Sequence, residues 1–396
     1  MSETMTAFTA KGAELLSHAR ELVPTFRKRA AEAEKLRCIP PESIDDLRKA
    51  GLFRTLQPAV LGGYELPLDE AVLITATVAE GCGSTGWVQG VYSDHCATVG
   101  MFDGQAQKDV WGRSPDSLIS SGFMPTGKVV RVDGGYRLNG RWSFSSGCDY
   151  ADWALVRSFV PAAVDTDAAE LYMFLVPKTD YTIIDTWFVM GMSGTGSKDF
   201  RTKDEVFVPE YRALSNQDLT NGMGPGSEFN GGVLYRLPRH ATVPFSLAAP
   251  LIGIAERALQ IFVQGMRERS SGDRRAAQEG AIHMRVANSA AEIDAARVLM
   301  LRDCREAMEI VQRGQQLSIE QRARNRRDIA YVAYLCTRAL DRLFASAGGS
   351  NIYLDSEAQR LLRDIHAAGQ HIALSWDVAG STYGRVMFGL PPGQDL

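Results

Sequence analysis

Six histidines are the chain's candidate proton acceptors near neutral pH: His18, His95, His240, His283, His366 and His371. Imidazole ordinarily titrates between pH 5 and 8, so it can take or share a proton at working pH. His18 and His283 fall in amphipathic stretches, and His240 at a loop end. His95 stands in Tyr92-Ser-Asp-His95-Cys96, and His366 and His371 follow Arg363-Asp364. Hydroxyls cluster in Ser120-Ser121-Gly122-Phe123, in Trp142-Ser-Phe-Ser145-Ser146-Gly147 and in Gly191-Met-Ser-Gly-Thr195-Gly-Ser197. In the last stretch the glycines serve turn geometry, and Thr195 and Ser197 offer hydroxyls to a ligand. Strand alternation sends Trp142, Phe144 and Ser146 to one face and Ser143 and Ser145 to the other. The six cysteines are scattered, with no CxxC and no short Cys/His cluster, so neither a metal site nor a disulfide framework is expected. No GxGxxG follows a strand, so a Rossmann dinucleotide site is not indicated.

A core must position these groups, and the chain can build one. It has 396 residues, 45% hydrophobic and 23% charged, with a net charge of −4. These values fit a globular protein of two or three structural units. Mild acidity argues against nucleic-acid binding. The basic run Arg322–Arg327 reads as a solvated helix face. Phe245–Gln264 is the most apolar stretch, but Pro250, Glu256 and Arg257 interrupt it, so a buried helix is expected and not a membrane span. The N-terminus carries acidic residues and no long apolar core, so it does not read as a signal peptide. A cytoplasmic protein is expected.

Periodicity divides the chain in three, an α+β, mainly α fold. Residues 1–115 read as helical: an amphipathic pattern from Leu15, a helix after Pro40-Pro41 ending near Gly51, and a helix from Glu70 to about Cys82 with Asp69 as N-cap. Residues 116–212 read as a β-barrel or sandwich. Its signals are Leu118–Ser121, a hairpin around Asp133-Gly134-Gly135, Trp142–Ser145, Trp153–Val160, Leu171–Val176, Tyr181–Val189 and Val206–Pro209, with 161–170 as a loop. Residues 213–396 hold a Gly- and Asn-rich connector to about 240, then a four-helix bundle over about 244–269, 274–314, 318–347 and 355–379.

Six stretches in this order carry a family resemblance: Ile39-Pro-Pro-Glu42, Leu61-Gly-Gly-Tyr64, Trp142-Ser-Phe-Ser-Ser-Gly147, Met190–Lys198, Val206-Phe-Val-Pro209 and Arg363-Asp364-Ile365-His366. On them the chain resembles the acyl-CoA dehydrogenase superfold and, within it, the oxygenase components of two-component flavin-dependent (group D) monooxygenases. Many dehydrogenases of the superfold carry a Tyr-Glu-Gly-Thr base after the Arg-Asp pair. Here the stretch is Gln370-His371-Ile-Ala-Leu-Ser-Trp376-Asp377, which offers an imidazole instead.

The resemblance implies an enzyme that takes FMNH2 or FADH2 from an NAD(P)H-dependent reductase, adds O2 through a C4a-hydroperoxide and hydroxylates a phenolic or other electron-rich small aromatic ring. The same scaffold supports dehydrogenation and N-, S- or indole oxidation. It implies a homotetramer with no nucleic-acid or membrane partner. Residue by residue, it places His95 and Ser121 at the substrate hydroxyl and His371 near the oxygen-transfer locus, with His366 as second choice. Ser146 falls at the flavin N5 contact, with Ser145 as the fallback. Trp142, Thr195 and Ser197 fall beside the cofactor ring, and Arg267 and Ser350 at its phosphate. Trp87, Tyr92, Phe123, Met124 and Trp376 would line the substrate pocket. Ser193 stands where relatives often have arginine, which would change the charge of the pocket. A phenol is mostly protonated at neutral pH (pKa about 10), so a proton acceptor at its hydroxyl raises the electron density of the ring.

Overall fold

A computed structural model describes residues 8–161, 169–271, 274–393 and 396. Residues 162–168 of the expected 161–170 loop lie outside the described residues, as does the start of the N-terminal segment read for targeting, and Glu170 already belongs to a strand.

Helix α1, Ala10–Leu36, begins at Thr9, whose Oγ1 accepts from Gly12 N, and buries Leu15, Leu16, Ala19, Val23, Phe26, Ala30 and Ala33 on one face. Helix α2 is Pro41–Lys49, and Gly51 follows it with φ +76°. Helix α3 is Leu68–Gly81. Asp69 is not its N-cap: Pro67 holds that place, and Asp69 lies in the first turn, paired with Arg305 at 2.7 Å. A single extended residue, Cys82, separates α3 from α4, Gly83–Val99, a nearly wholly buried helix that the sequence reading did not resolve. Its glycines are there for close approach: a Cβ at Gly86 would lie 2.5 Å from Ala79, and one at Gly90 2.8 Å from Thr75. Helix α5 is Gly104–Trp111.

The β region holds two sheets. Strand β1 runs unbroken over Ile119–Val132, where two shorter segments were expected. Its first part pairs in parallel with β4, Trp153–Val160, and its second part antiparallel with β2, Gly135–Asn139, across the expected hairpin. Strands β3 (Arg141–Ser145), β5 (Glu170–Pro177), β6 (Tyr181–Ile184), β7 (Lys198–Thr202), β8 (Val206–Pro209) and β9 (Ala213–Ser215) complete them. The sheet orders are β8-β2-β1-β4-β5-β9 and β3-β7-β6. Strand β9 lies beyond the expected boundary at 212, and β6 stops at Ile184, short of Val189.

The connector, read as lacking periodicity, contains short helices α6 (Asn216–Asn221), α7 (Gly226–Asn230) and α8 (Arg239–Thr242). The bundle helices are α9 (Pro244–Glu268), α10 (Gly280–Gln312), α11 (Ile319–Ala347) and α12 (Glu357–Gly369). The expected fourth helix is broken: a single 3₁₀ turn over Ile372–Leu374 precedes α13, Trp376–Met387, and the break carries His371. The span Arg239–Glu268 is long and apolar enough to cross a membrane, but 67% of its most apolar window is buried in the fold. The run Arg322–Arg327 is not a solvated face. Ala323 and Asn325 are buried, and Arg326 is only 7% exposed, because this side of α11 packs against α8 and the turn after α12.

One apolar core runs from α1 through α12, and a second fills the β region around Trp142, Phe174, Tyr181 and Phe200. The site forms where the two meet.

Candidate active site

Helix α4 supplies the first group. His95 is 2% exposed, and its Nδ1 lies 2.6 Å from the carbonyl oxygen of Ile119 at the start of β1. A carbonyl only accepts, so Nδ1 carries the proton. Burial depresses the ring's pKa to about 3, with Arg239 adding to the effect, so the imidazole is neutral and Nε2 keeps its lone pair. The ring also meets Phe123 edge-on, with centroids 5.6 Å apart. Ile119 and Phe123 flank Ser121 two residues away on the same strand. Ser121, 8% exposed, therefore faces the His95 side of β1.

The neighbour of His95 is anchored from behind. Asp94 holds Arg239 of α8 through two bonds of 2.7 and 2.6 Å, both residues being 5% exposed. Burial raises the Asp94 pKa to about 6 against the pull of the guanidinium.

His371 has the opposite proton placement. Its Nδ1 accepts from Ala373 N at 3.1 Å, so the neutral ring carries its hydrogen on Nε2. Burial, and then the Arg326 charge, lower its pKa to about 4. Its ring lies 5.9 Å from that of Trp87, on the same helix as His95. His366 goes elsewhere: its Nε2 pairs with Asp341 at 2.8 Å on the surface.

Trp87 starts a chain of hydroxyls. Its Nε1 donates to Ser146 Oγ at 3.2 Å, Ser146 and Ser197 hydroxyls lie 2.8 Å apart, and Ser197 and Thr195 2.7 Å apart. Thr195 Oγ1 donates to Met192 O at 2.8 Å. Each hydroxyl has one hydrogen. Thr195 spends its own on Met192, so Ser197 must give to Thr195 and Ser146 to Ser197. The polarity is thus fixed, and Ser146 faces outward as an acceptor. Arg363 and Asp364 of α12 pin the turn that carries these groups: Arg363 donates to Met190 O at 2.6 Å, and Asp364 Oδ1 accepts from Met192 N at 2.6 Å.

The expected alternation along 142–147 fails for a local reason. Phe144 has φ +61°, the β3–β7 register shifts there, and its side chain is 69% exposed, while Trp142 and Ser145 both point inward. Trp142 is a core residue of the sheets: fully buried, bonded to Arg157 O at 3.0 Å and stacked on Phe200. Ser145 Oγ is buried with no partner. Tyr92 is also fully buried, and its hydroxyl donates to Gly147 O, so it braces the loop that follows Ser146. Trp376 packs on Tyr331 and stacks on Tyr334, and is 40% exposed. Met124 is exposed at 59%.

Arg267 and Ser350 occupy different surfaces of the described chain. Ser350 lines a ≈ 500 Å³ cleft with Gly348, Gly349 and Arg269, whereas Arg267 lies on another face of α9 beside Val263 and Gln264. Arg269 was not singled out in the sequence, although its guanidinium abuts Gly348. None of His95, Ser121, Ser146 and His371 lines this cleft. The cleft lies at the bundle's edge, apart from the two neutral histidines.

Residues 245–376 match the acyl-CoA dehydrogenase C-terminal domain. The flavin-dependent monooxygenase oxygenase subunit HsaA of Rhodococcus jostii RHA1 is 37% identical over 93% of this chain and 97% of its own. The oxygenase component of the FADH2-dependent resorcinol hydroxylase of Rhizobium sp. MTP-10005 is 35% identical, over 98% and 97%. The chain belongs to this family of flavin-dependent monooxygenase oxygenase components. Its fold agrees: the crystal structure of the Mycobacterium tuberculosis HsaA monooxygenase superposes with a TM-score of 0.92 at 34% identity, covering 97% of this chain and 99% of that one.

As an oxygenase component it uses reduced flavin and O2 and works with a separate reductase component. The residues present fit the flavin. Its ring offers N–H groups, carbonyl oxygens and an apolar face. The site offers an outward acceptor at Ser146, an Nε2–H donor at His371, and the indole of Trp87.

Proposed function

We propose that this oxygenase component hydroxylates a small phenolic ring, ortho to its hydroxyl, with His95 and Ser121 receiving that hydroxyl. The reading is carried by the opposed proton placement of two neutral imidazoles: His95 presents a bare Nε2 and His371 an Nε2–H. A phenol needs an acceptor for its O–H, and Nε2 of His95 supplies one where little water competes. The Ser121 hydroxyl, on the same side of β1, completes the contact. His371 supplies a donor toward the oxygen-transfer locus.

Bound reduced flavin supplies the activated oxygen. In this reading Ser146 Oγ, with its hydrogen committed to Ser197, accepts the N5–H that a reduced flavin carries and an oxidised one lacks. Thr195 and Ser197 set that polarity. Arg267, Ser350 and Arg269 form the phosphate-binding surfaces, completed across subunits of a homotetramer. The apolar Ile352, Tyr353, Leu354 and Phe388, each 67–85% exposed, give that assembly a contact face. The flavin, FMN or FAD, comes from an NAD(P)H-dependent reductase, in the cytoplasm. The three domains follow the division 1–115, 116–212 and 213–396, with strand β9 carrying the central sheet three residues past 212.

The test is rapid mixing of the anaerobic protein, charged with reduced flavin, against oxygenated buffer with and without a panel of phenols. Hydroxylated product in proportion to flavin oxidised supports the reading. Reoxidation at the rate of free flavin, yielding only hydrogen peroxide with every phenol, would sink it.

A further inference from the structure

Arg326 is a charge without a counter-charge. Its side chain lies on α11 inside the bundle, 7% exposed, and no carboxylate stands within 4 Å of it among the described residues. Its neighbours in sequence are different: Arg324 pairs with Glu306 and Arg327 with Asp328, each at 2.7 Å. One of the five N–H groups of Arg326 is accounted for, by the carbonyl oxygen of Ala373 at 3.3 Å. Buried guanidinium groups are ordinarily paired, because removing the charge from water is costly. The same interior shows the ordinary solution a short way off, where Arg239 takes both oxygens of Asp94.

The position of Arg326 is as informative as its lack of a partner. Ala373 is two residues from His371, in the turn that breaks the fourth bundle helix. Helix α11 also packs on α8, which carries Arg239 and His240. Arg239 in turn sits behind His95 through Asp94. The Arg326 charge bears on both His371 and His240. It therefore stands between the turn that carries His371 and the helix that carries Arg239 and His240, and no carboxylate pairs with it there among the described residues.

We infer that Arg326 receives an anionic group of the aromatic substrate, so that the pocket selects a phenolic acid over the corresponding neutral phenol. This rests on the phenol-hydroxylating reading above and adds the substrate's second handle. His95 and Ser121 would fix the hydroxyl, and Arg326 would fix a carboxylate. Two-point fixation sets which ring carbon faces the oxygen donor.

The experiment uses 3-(4-hydroxyphenyl)propanoate and its primary amide, which differ in charge and little in shape. Their binding to the full-length protein with reduced flavin is measured for wild type and Arg326→Met, alongside the melting temperature of each protein. The wild type should bind the acid at least tenfold more tightly than the amide. Arg326→Met should lose that preference, bind the amide within about twofold of wild type, and melt no lower, since an unpaired buried charge has been removed. Equal wild-type binding of acid and amide overturns the inference. So does a variant that melts lower and binds both probes equally poorly, which would make Arg326 a structural tie to Ala373. A variant with weakened reduced-flavin binding and intact acid preference also overturns it and assigns the anion to the flavin. Acid preference that depends on Arg326, with no hydroxylation of any phenol, would leave this site standing while the phenol-hydroxylating reading fell.

Discussion

The indole N–H of Trp87 donates to Ser146 Oγ at 3.2 Å, and this contact joins the buried helix α4 to the β region at the site. Trp87 is 7% exposed, so its donor has little water to fall back on. Ser146→Ala removes the acceptor and leaves the N–H unpaired. The expected cost is about 1–3 kcal/mol of folding stability, read as a lower urea midpoint for the ligand-free protein. Ser146→Thr keeps the hydroxyl and should recover most of it. If Ser146 accepts from the flavin, the alanine variant should also release roughly fivefold to tenfold more peroxide per hydroxylated product, the worth of one hydrogen bond. An unchanged product ratio would place the flavin contact elsewhere.

His95 should bind a phenol with no break near pH 6.5. Its pKa is held near 3, so Nε2 stays unprotonated down to mildly acidic pH. Affinity for a neutral phenol should be flat from pH 8 to 5, whereas an ordinary histidine would cost roughly thirtyfold over that range. His95→Asn removes the basic nitrogen and should lower the hydroxylation rate by about 10²–10⁴-fold. Reoxidation of the bound flavin in the absence of substrate should not change. Loss of both together would point to a collapsed site and not to a missing acceptor.

The Asp94–Arg239 pair behind His95 should prove far more costly to break than to replace. Asp94→Asn leaves a buried guanidinium without its counter-charge and should lose about 3–5 kcal/mol. The double change Asp94→Leu with Arg239→Met removes both charges and should lie much nearer wild type. Urea unfolding of the three proteins decides this. Additive losses in the double variant would contradict it.

Much of this arrangement could be read from residue order. The hairpin at Asp133-Gly134-Gly135 and the long bundle helices announce themselves by local pattern, whereas His95 and His371 were singled out among six histidines only by the family resemblance. What stayed hidden was set by tertiary contact. Helix α4 has glycines at 83, 86 and 90, which weaken a helix by propensity, and they are there because α3 lies against Gly86 and Gly90 and Ile254 of α9 against Gly83. Trp142 and Ser146 seemed to share a face until Phe144, at φ +61°, reset the alternation. Tyr92 looked like pocket lining, but its hydroxyl is spent on Gly147. Arg326 was lost among the charges from Arg322 to Arg327, because periodicity cannot tell a basic residue facing solvent from one buried inside the bundle.

His95 and Asp364 should tilt stability in opposite directions between pH 4 and 6. His95 is depressed from 6.5 to about 3, so below pH 6.5 the unfolded chain binds a proton that the native chain refuses. The stability present above pH 6.5 is then lost as pH falls toward 3. Asp364 is raised from 3.8 to about 6, chiefly by burial, so the native chain holds a proton that the unfolded one has released. Its contribution is present below pH 3.8 and is lost as pH rises through 6. Each group accounts for up to one proton, or about 1.4 kcal/mol per pH unit. Across this window His95→Asn should make unfolding free energy rise less steeply with pH than in wild type, and Asp364→Asn should make it rise more steeply. Asparagine at 364 keeps an oxygen for Met192 N, so the difference isolates the charge. Parallel pH profiles for both variants and wild type would mean that neither group is held away from its ordinary protonation state.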